Sequence, residues 1–279
     1  MPELPSRFEK HIEVMSSGLI AVDLLAHETG ISKQKVKLIM QKGAVWITIG
    51  KKTQRLRRAK KALKQGNIIH LYYDQYVLDS VPFEPVLLAD EGPYSVWNKP
   101  YGMLSQGSKW GDHCTITRWA EQHLTPQRNS FTVHRLDRAA NGIIIIAHEK
   151  NAAASLSKLF HDRQVDKRYQ IEVHGEFSHT ATAENPTRID TMIDDRTAVS
   201  YFSLIRYNKN TNRSLLEVNI ETGRKHQIRR HAAELGFAVV GDRLHGNETD
   251  QEALQLQAYY LSFICPYSSK QKKFNLLPA

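Results

Sequence analysis

The stretch Val133-His134-Arg135-Leu136-Asp137-Arg138-Ala139-Ala140-Asn141-Gly142-Ile143-Ile144-Ile145-Ile146-Ala147 decides how this chain is read. A charged turn runs directly into five apolar residues. Ile143 to Ala147 is short, β-branched and wholly apolar, the pattern of a strand buried on both faces. Gly142 stands at its entrance, where the backbone needs positive φ or a close approach. Asp137 lies between Arg135 and Arg138, with His134 just upstream. A carboxylate beside cations at the start of a buried strand should stay ionised. That qualifies it as a nucleophile or a base. The same pattern also describes a structural Asp–Arg pair at a turn, because ion-pair networks perturb carboxylates too.

Further along, Tyr169, Ile171 and Val173 alternate with Gln170 and Glu172, which predicts a half-buried strand with Tyr169 facing inward. Taken alone, Tyr169 reads as a core tyrosine. Leu215 to Ile220 predicts another strand, Thr222-Gly223 a turn, and Lys225 to Leu235 a helix ended by Gly236. Ile228, Ala232 and Leu235 form the buried stripe of that helix. Arg229 sits beside the stripe, and a partly buried arginine needs an anion. Asp137 is its expected partner, since a guanidinium can hold a carboxylate bidentately. His226 and His231 are five apart and off one face, so no zinc site is expected. Upstream, Tyr94 to Trp97 is strand-like and Lys99-Pro100 to Gly102 forces a turn. Residues 116–124 and Asn151 to His161 read as amphipathic helices.

The first eighty residues differ in charge. They carry 14 Lys/Arg against 7 Asp/Glu, seven of the nine net positive charges of the 279-residue chain. Residues 33–64 hold twelve basic side chains and no acidic one. A solvated face is one reading, and contact with an anionic partner is the other. Ser32 caps a predicted helix to Met40 with Val36, Ile39 and Met40 on one face, Gly43 ends it, and Ala44 to Ile49 predicts a strand. Gly66-Asn67 leads into a second strand, Ile68 to Tyr72. Lys33, Lys35, Lys42, Lys51 and Lys52 then sit where they can meet phosphates. Residues 81–93, with Pro82, Pro85 and Gly92-Pro93, read as a linker. The expected organisation is a small domain over 1–80 and a larger one over 94–279. Cys114 and Cys265 are too few and too far apart for a disulfide framework, which fits a reducing cytosol. Met1 to Lys10 has no apolar leader core, and no stretch approaches a membrane span.

The string His134-Arg135-Leu136-Asp137, followed by Gly142 and an apolar strand, resembles the signature of the RluA-type pseudouridine synthases. Asn98-Lys99-Pro100-Tyr101-Gly102 resembles the family's first motif, Lys167-Arg168-Tyr169 its tyrosine motif, and Gly223-Arg224-Lys225-His226-Gln227-Ile228-Arg229 its third. Ala140-Asn141 stands where the family has Thr-Ser, and Lys225 where it has Thr. Residues from about Gly18 to Tyr73 resemble the α-L RNA-binding domain of ribosomal protein S-four. The resemblance implies an α+β fold with a mixed, largely antiparallel sheet flanked by helices. It implies an isomerase that turns uridine in RNA into pseudouridine with no cofactor, metal or nucleotide. Asp137, Tyr169 and Arg229 are then the catalytic set. Arg135 fills the space left by the displaced base, Lys99 is expected to contact backbone or RNA, and Ile228 joins the residues expected against RNA. Large-subunit ribosomal RNA is the expected substrate, with transfer RNA as the alternative, in the cytoplasm. Two other readings stay open: an inactive RNA-binding assembly factor, and a carboxylate hydrolase acting on nucleosides. The hydrolase normally needs a second carboxylate near the first, and the motifs supply none.

Overall fold

The computed structural model describes residues 5–277. Glu3, within the stretch read for a leader, and the last two residues of the larger expected domain lie outside the described residues. The chain forms two compact units. One runs to Pro82 and takes in Gln106–His123; the other comprises Phe83–Ser105 and the chain from Leu124 onward.

The smaller unit contains β1 (Arg7–Glu13), α1 (Ala21–Thr29), α2 (Lys33–Gln41), β2 (Val45–Ile49), β3 (Lys52–Arg55), β4 (Ile68–Asp74), α3 (Gln75–Asp79) and α4 (Ile116–His123). Its sheet runs β1-β4-β2-β3, all antiparallel. The Ser32 side chain accepts from the Lys35 N–H at 3.3 Å, so α2 starts with a side-chain cap. Val36, Ile39 and Met40 are buried against Leu25, Ile47 and Leu71. Gly43, at φ 82°, turns the chain into β2. Strand β1 carries no sequence signal, because only Ile12 of its seven residues is buried. Gln106–His123 joins this unit although the sequence assigns it to the larger domain. The reason is an ion pair: Asp112 receives Arg55 Nε at 3.1 Å and also binds Arg57. Such a pairing across more than fifty residues has no local signature.

The larger unit contains β5 (Val86–Asp90), β6 (Tyr94–Lys99), β7 (Phe131–Thr132), β8 (Asn141–Ala147), α5 (Lys150–His161), β9 (Val165–His174), β10 (Thr187–Ile193), β11 (Arg196–Asn208), β12 (Arg213–Ile220), α6 (Gln227–Glu234), β13 (Leu256–Ile264) and β14 (Gln271–Asn275). Its sheet runs β10-β11-β12-β9-β13-β8-β6-β5, with β14 on β13 and β7 on β8. Only the β8–β13 pair is parallel, so the sheet is mixed and largely antiparallel, as expected. The expected linker 81–93 is corrected: it contains β5, hydrogen-bonded to β6. Pro85 and Gly92-Pro93 bracket that apolar strand at its ends instead of marking a spacer.

Strand β8 is buried on both faces. Ile143 and Ile145 pack with Leu156 of α5, and Ile144 and Ile146 are fully buried opposite them. Gly142 has φ 121°, and a Cβ there would run into the backbone of Ala258 in β13. Ala258 in turn faces Tyr169 of β9. One row of the sheet therefore carries Gly142, Ala258 and Tyr169 on adjacent strands. That row brings the loop before β8 to the tyrosine. Among the described residues, no helix is long and apolar enough to cross a membrane.

Candidate active site

The loop that carries Asp137 is held from beneath by the turn after β6. Lys99, fully buried, donates to three backbone carbonyls: Ala140 at 2.6 Å, Met103 at 2.8 Å and Pro100 at 3.0 Å. The Ser105 hydroxyl donates to the Leu136 carbonyl at 2.6 Å and accepts from the Leu136 N–H at 3.0 Å. The Gly102 N–H donates to the Arg138 carbonyl at 2.8 Å. His134 Nε2 accepts from the Ile145 N–H at 3.1 Å, and its ring stacks on Phe160. Burial, helped by nearby Lys167, pushes His134 down to about 3, so the ring is neutral and structural. Ala140 and Asn141 supply the loop's bonds through their backbones: Ala140 donates to the Asp137 carbonyl at 3.1 Å, and Asn141 pairs with Gln257 in the sheet.

Of the two contacts expected for Lys99, the one to backbone is present and the one to RNA is corrected. A side chain with no exposed surface cannot reach a phosphate, and its ammonium is already shared among three carbonyls. Burial pushes Lys99 down to about 7, against the pull of the Asp137 carboxylate.

Asp137 opens into a cleft of about 90 Å³ lined also by Arg135, Tyr169, His226, Ile228 and Arg229. The cleft thus gathers the residues of the second, third and tyrosine motifs. Arg135 is exposed at its rim, and Ile228 forms a nearly buried wall. Tyr169 is half-buried. Burial, and then the charge of Asp137, push its phenol up, so it holds its proton at neutral pH.

The partner expected for Arg229 needs correction. Its fork closes on Asp242, with Nε to Oδ2 at 2.8 Å and Nη2 to Oδ1 at 2.6 Å. Nη1 faces Asp137 Oδ2 at 3.7 Å. A guanidinium has five N–H donors, so one carboxylate can take the fork while another faces the remaining nitrogen. Asp242 is buried, and burial alone would raise it. Hydrogen bonds from Arg229 and from the His245 and Leu244 N–H groups outweigh that and hold it below the usual carboxylate range. Burial works against the Arg229 charge too, but Asp242 and Asp137 together raise its pKa. The result is a fixed positive charge behind Asp137.

Sequence reasoning missed Asp242 as that anchor. The signal was a nearly apolar run, Ala238-Val239-Val240-Gly241, ending in an aspartate close to a buried arginine. It also missed His226, whose Nε2 faces Asp137 Oδ1 at 4.0 Å. The expected helix start at Lys225 moves to Gln227, because His226 adopts φ 54°.

The basic residues of the smaller unit form a separate set. Lys33 pairs with Asp23 at 2.7 Å, Lys35 lies over the Tyr73 ring, and Lys42 donates to the Leu78 carbonyl. Lys51 and Lys52 are exposed at the turn between β2 and β3.

Residues 93–234, half of the chain, match the family described as RNA pseudouridylate synthase. An uncharacterized RNA pseudouridine synthase of Chloroflexus aurantiacus is 33% identical, over 65% of this chain and 62% of its own length. The tRNA pseudouridine synthase C of Vibrio parahaemolyticus is 28% identical, over 68% of this chain and 89% of its own. The ribosomal large subunit pseudouridine synthase D of Zymomonas mobilis is 28% identical, over 70% and 69%. In fold, the chain is similar to human RNA pseudouridylate synthase domain containing 1, with a TM-score of 0.58, 18% identity and coverage of 71% and 86%. The chain belongs to the RNA pseudouridylate synthase family, whose members are isomerases. Its small N-terminal sheet unit fits the α-L domain that the sequence resembles.

Proposed function

We propose that this chain isomerises a specific uridine to pseudouridine in large-subunit ribosomal RNA, with Asp137 as the nucleophile. The observation that carries this reading is the convergence of Asp137, Arg229 and Tyr169 on one cleft. Asp137 attacks the nucleotide, the bond from N1 of uracil to the ribose C1′ breaks, and the bond to Asp137 is broken again once the turned base is rejoined, which frees the carboxylate. The base turns, and C5 bonds to C1′. C5 loses a proton and N1 gains one, so atoms and charge balance. Arg229, anchored by Asp242, aims the carboxylate. Tyr169 stacks on the displaced base, and Arg135 at the rim occupies the space the base leaves. The exposed lysines of the smaller unit, Lys51 and Lys52 foremost, add phosphate contacts. The work is done in the cytoplasm, where a reducing milieu suits a sequence with two widely spaced cysteines.

Transfer RNA is the second reading, favoured by the Vibrio relative, which the chain matches over 89% of its length. The test is pseudouridine mapping of total RNA from cells lacking this protein, with and without a rescuing copy. Loss at a large-subunit site supports the first reading and loss at a transfer-RNA site the second. An unchanged map would leave the inactive assembly factor.

A further inference from the structure

His226 lies directly before α6 with φ 54°, a left-handed conformation uncommon for any residue but glycine. That backbone turns its ring into the Asp137 cleft. Its Nδ1 is 2.9 Å from Nε2 of His245, and the two rings meet edge to face. Its Nε2 is 4.0 Å from Asp137 Oδ1. The His245 N–H donates to Asp242 at 3.1 Å, the carboxylate that clamps Arg229. Asp137 is thus faced on one oxygen by Arg229 and on the other by His226, and both are tied back to the 242–245 turn.

The tautomer follows from these surroundings. Between two neutral imidazoles at hydrogen-bond distance, one facing nitrogen carries the hydrogen and the other accepts it. If His226 Nδ1 carried it, the lone pair of His226 Nε2 would face a carboxylate. If His245 Nε2 carries it, His226 turns an N–H toward Asp137. Electrostatics selects the second arrangement. We propose that His245 fixes the tautomer of His226, and that His226 is thereby a positioning residue that aims Asp137. This rests on the isomerase reading of the site. A gap of 4.0 Å is one that substrate binding can close.

The charges around the pair fit this role. His226 is faced by Asp137, Arg229, His245 and Lys225, and His245 by Asp242, Arg229, Arg230 and Asp137. Burial, helped by Arg229, outweighs the opposing pull of Asp137 on His226 and of Asp242 on His245 and holds both rings below the usual histidine range, so the pair is neutral at physiological pH. Once His226 is protonated, both its nitrogens carry hydrogen, and His245 is no longer needed to set the tautomer.

The experiment uses the full-length protein in two measurements. The first is the nitrogen-15 NMR spectrum of the histidine rings at pH 8, which needs no activity. It should show His226 protonated at Nε2; protonation at Nδ1 would overturn the proposal. The second is single-turnover pseudouridine formation between pH 6 and 9 on an RNA that the wild type modifies. His245→Phe keeps the ring and removes the donor. It should slow the reaction roughly tenfold at pH 8, the worth of one hydrogen bond to a charged group. That loss should shrink as the pH falls. His245→Gln, which can still donate to Nδ1, should restore the rate at all pH values. A His245→Phe rate equal to wild type, or a loss flat with pH and not rescued by Gln, would overturn the proposal. Wild-type inactivity on every RNA would count against the isomerase reading, and the NMR result would still decide the tautomer.

Discussion

The loop around Asp137 and the basic run 33–64 are both rich in charge, and they are built on opposite principles. In the first, charge is buried and directional. Lys99 meets three carbonyls, and Arg229 meets two carboxylates. In the second, the core is apolar and the charges stand on its surface. Lys33 and Asp23 pair with side chains 65% and 49% exposed, a geometry worth at most about 1 kcal/mol. Removing a fully buried partner from the first region, Lys99 or Asp242, should damage folding and chemistry together. Removing charges from the second should change only binding, and in a salt-dependent way.

The largest effect on this contrast comes from Asp242→Ala. It leaves the buried Arg229 without its fork and should destabilise the fold by about 3–5 kcal/mol in urea unfolding. Turnover should fall about a hundredfold, because the carboxylate of Asp137 loses its aim. A stability loss below about 1 kcal/mol would place Arg229 among ordinary surface ion pairs and erase the distinction.

Lys99→Met is next. It leaves three carbonyls without their donor and should cost about 3 kcal/mol. The pH dependence has a definite sign. Lys99 is lowered from 10.5 to about 7 on folding, so between those values the unfolded state binds the extra proton. Wild-type stability should therefore rise with pH across that window, by up to about 1.4 kcal/mol per pH unit. In the Met variant this contribution is absent. Parallel stability–pH curves for the two proteins would show that Lys99 does not titrate in the folded state.

The smallest effect is Lys51→Gln with Lys52→Gln. The fold should be unchanged, and the slope of log affinity against log salt should drop by about 0.7 to 0.9 for each phosphate no longer neutralised. An unchanged slope would make the turn between β2 and β3 a solvated face and sharpen the search toward Arg57, Arg58 and the lysines beyond them.

The same contrast explains what could be read in advance. The strand Ile143–Ala147, the Ser32 cap and the alternation around Tyr169 are local patterns, and all appear in the structure as elements. Asp137, Tyr169 and Arg229 were found as members of motifs, and one cleft gathers them. What local pattern could not show was partnership. Arg229 looked for an anion, and sequence offered the one inside the known motif; Asp242 lay thirteen residues on, its apolar run a cue to burial but not to its partner. Lys99 was read as a contact to backbone or RNA, and only the fold shows that three backbone carbonyls surround it. Strand β13, which joins β8 to β9 and so sets the site's spacing, lies in a segment whose role depends wholly on pairing.

The central claim is that Asp137 is the nucleophile on a loop held ready by the rest of the site. Asp137→Asn keeps the size and the loop's backbone bonds while removing the nucleophilic oxygen. The direct measurement is single-turnover pseudouridine formation, read beside the dissociation constant for the same RNA and the melting temperature. The account predicts a rate below about a thousandth of wild type, as for loss of a covalent catalyst, with binding and melting temperature nearly unchanged. A rate within about tenfold of wild type, only some 1.4 kcal/mol of barrier, would contradict it and move the chemistry to another group in the cleft.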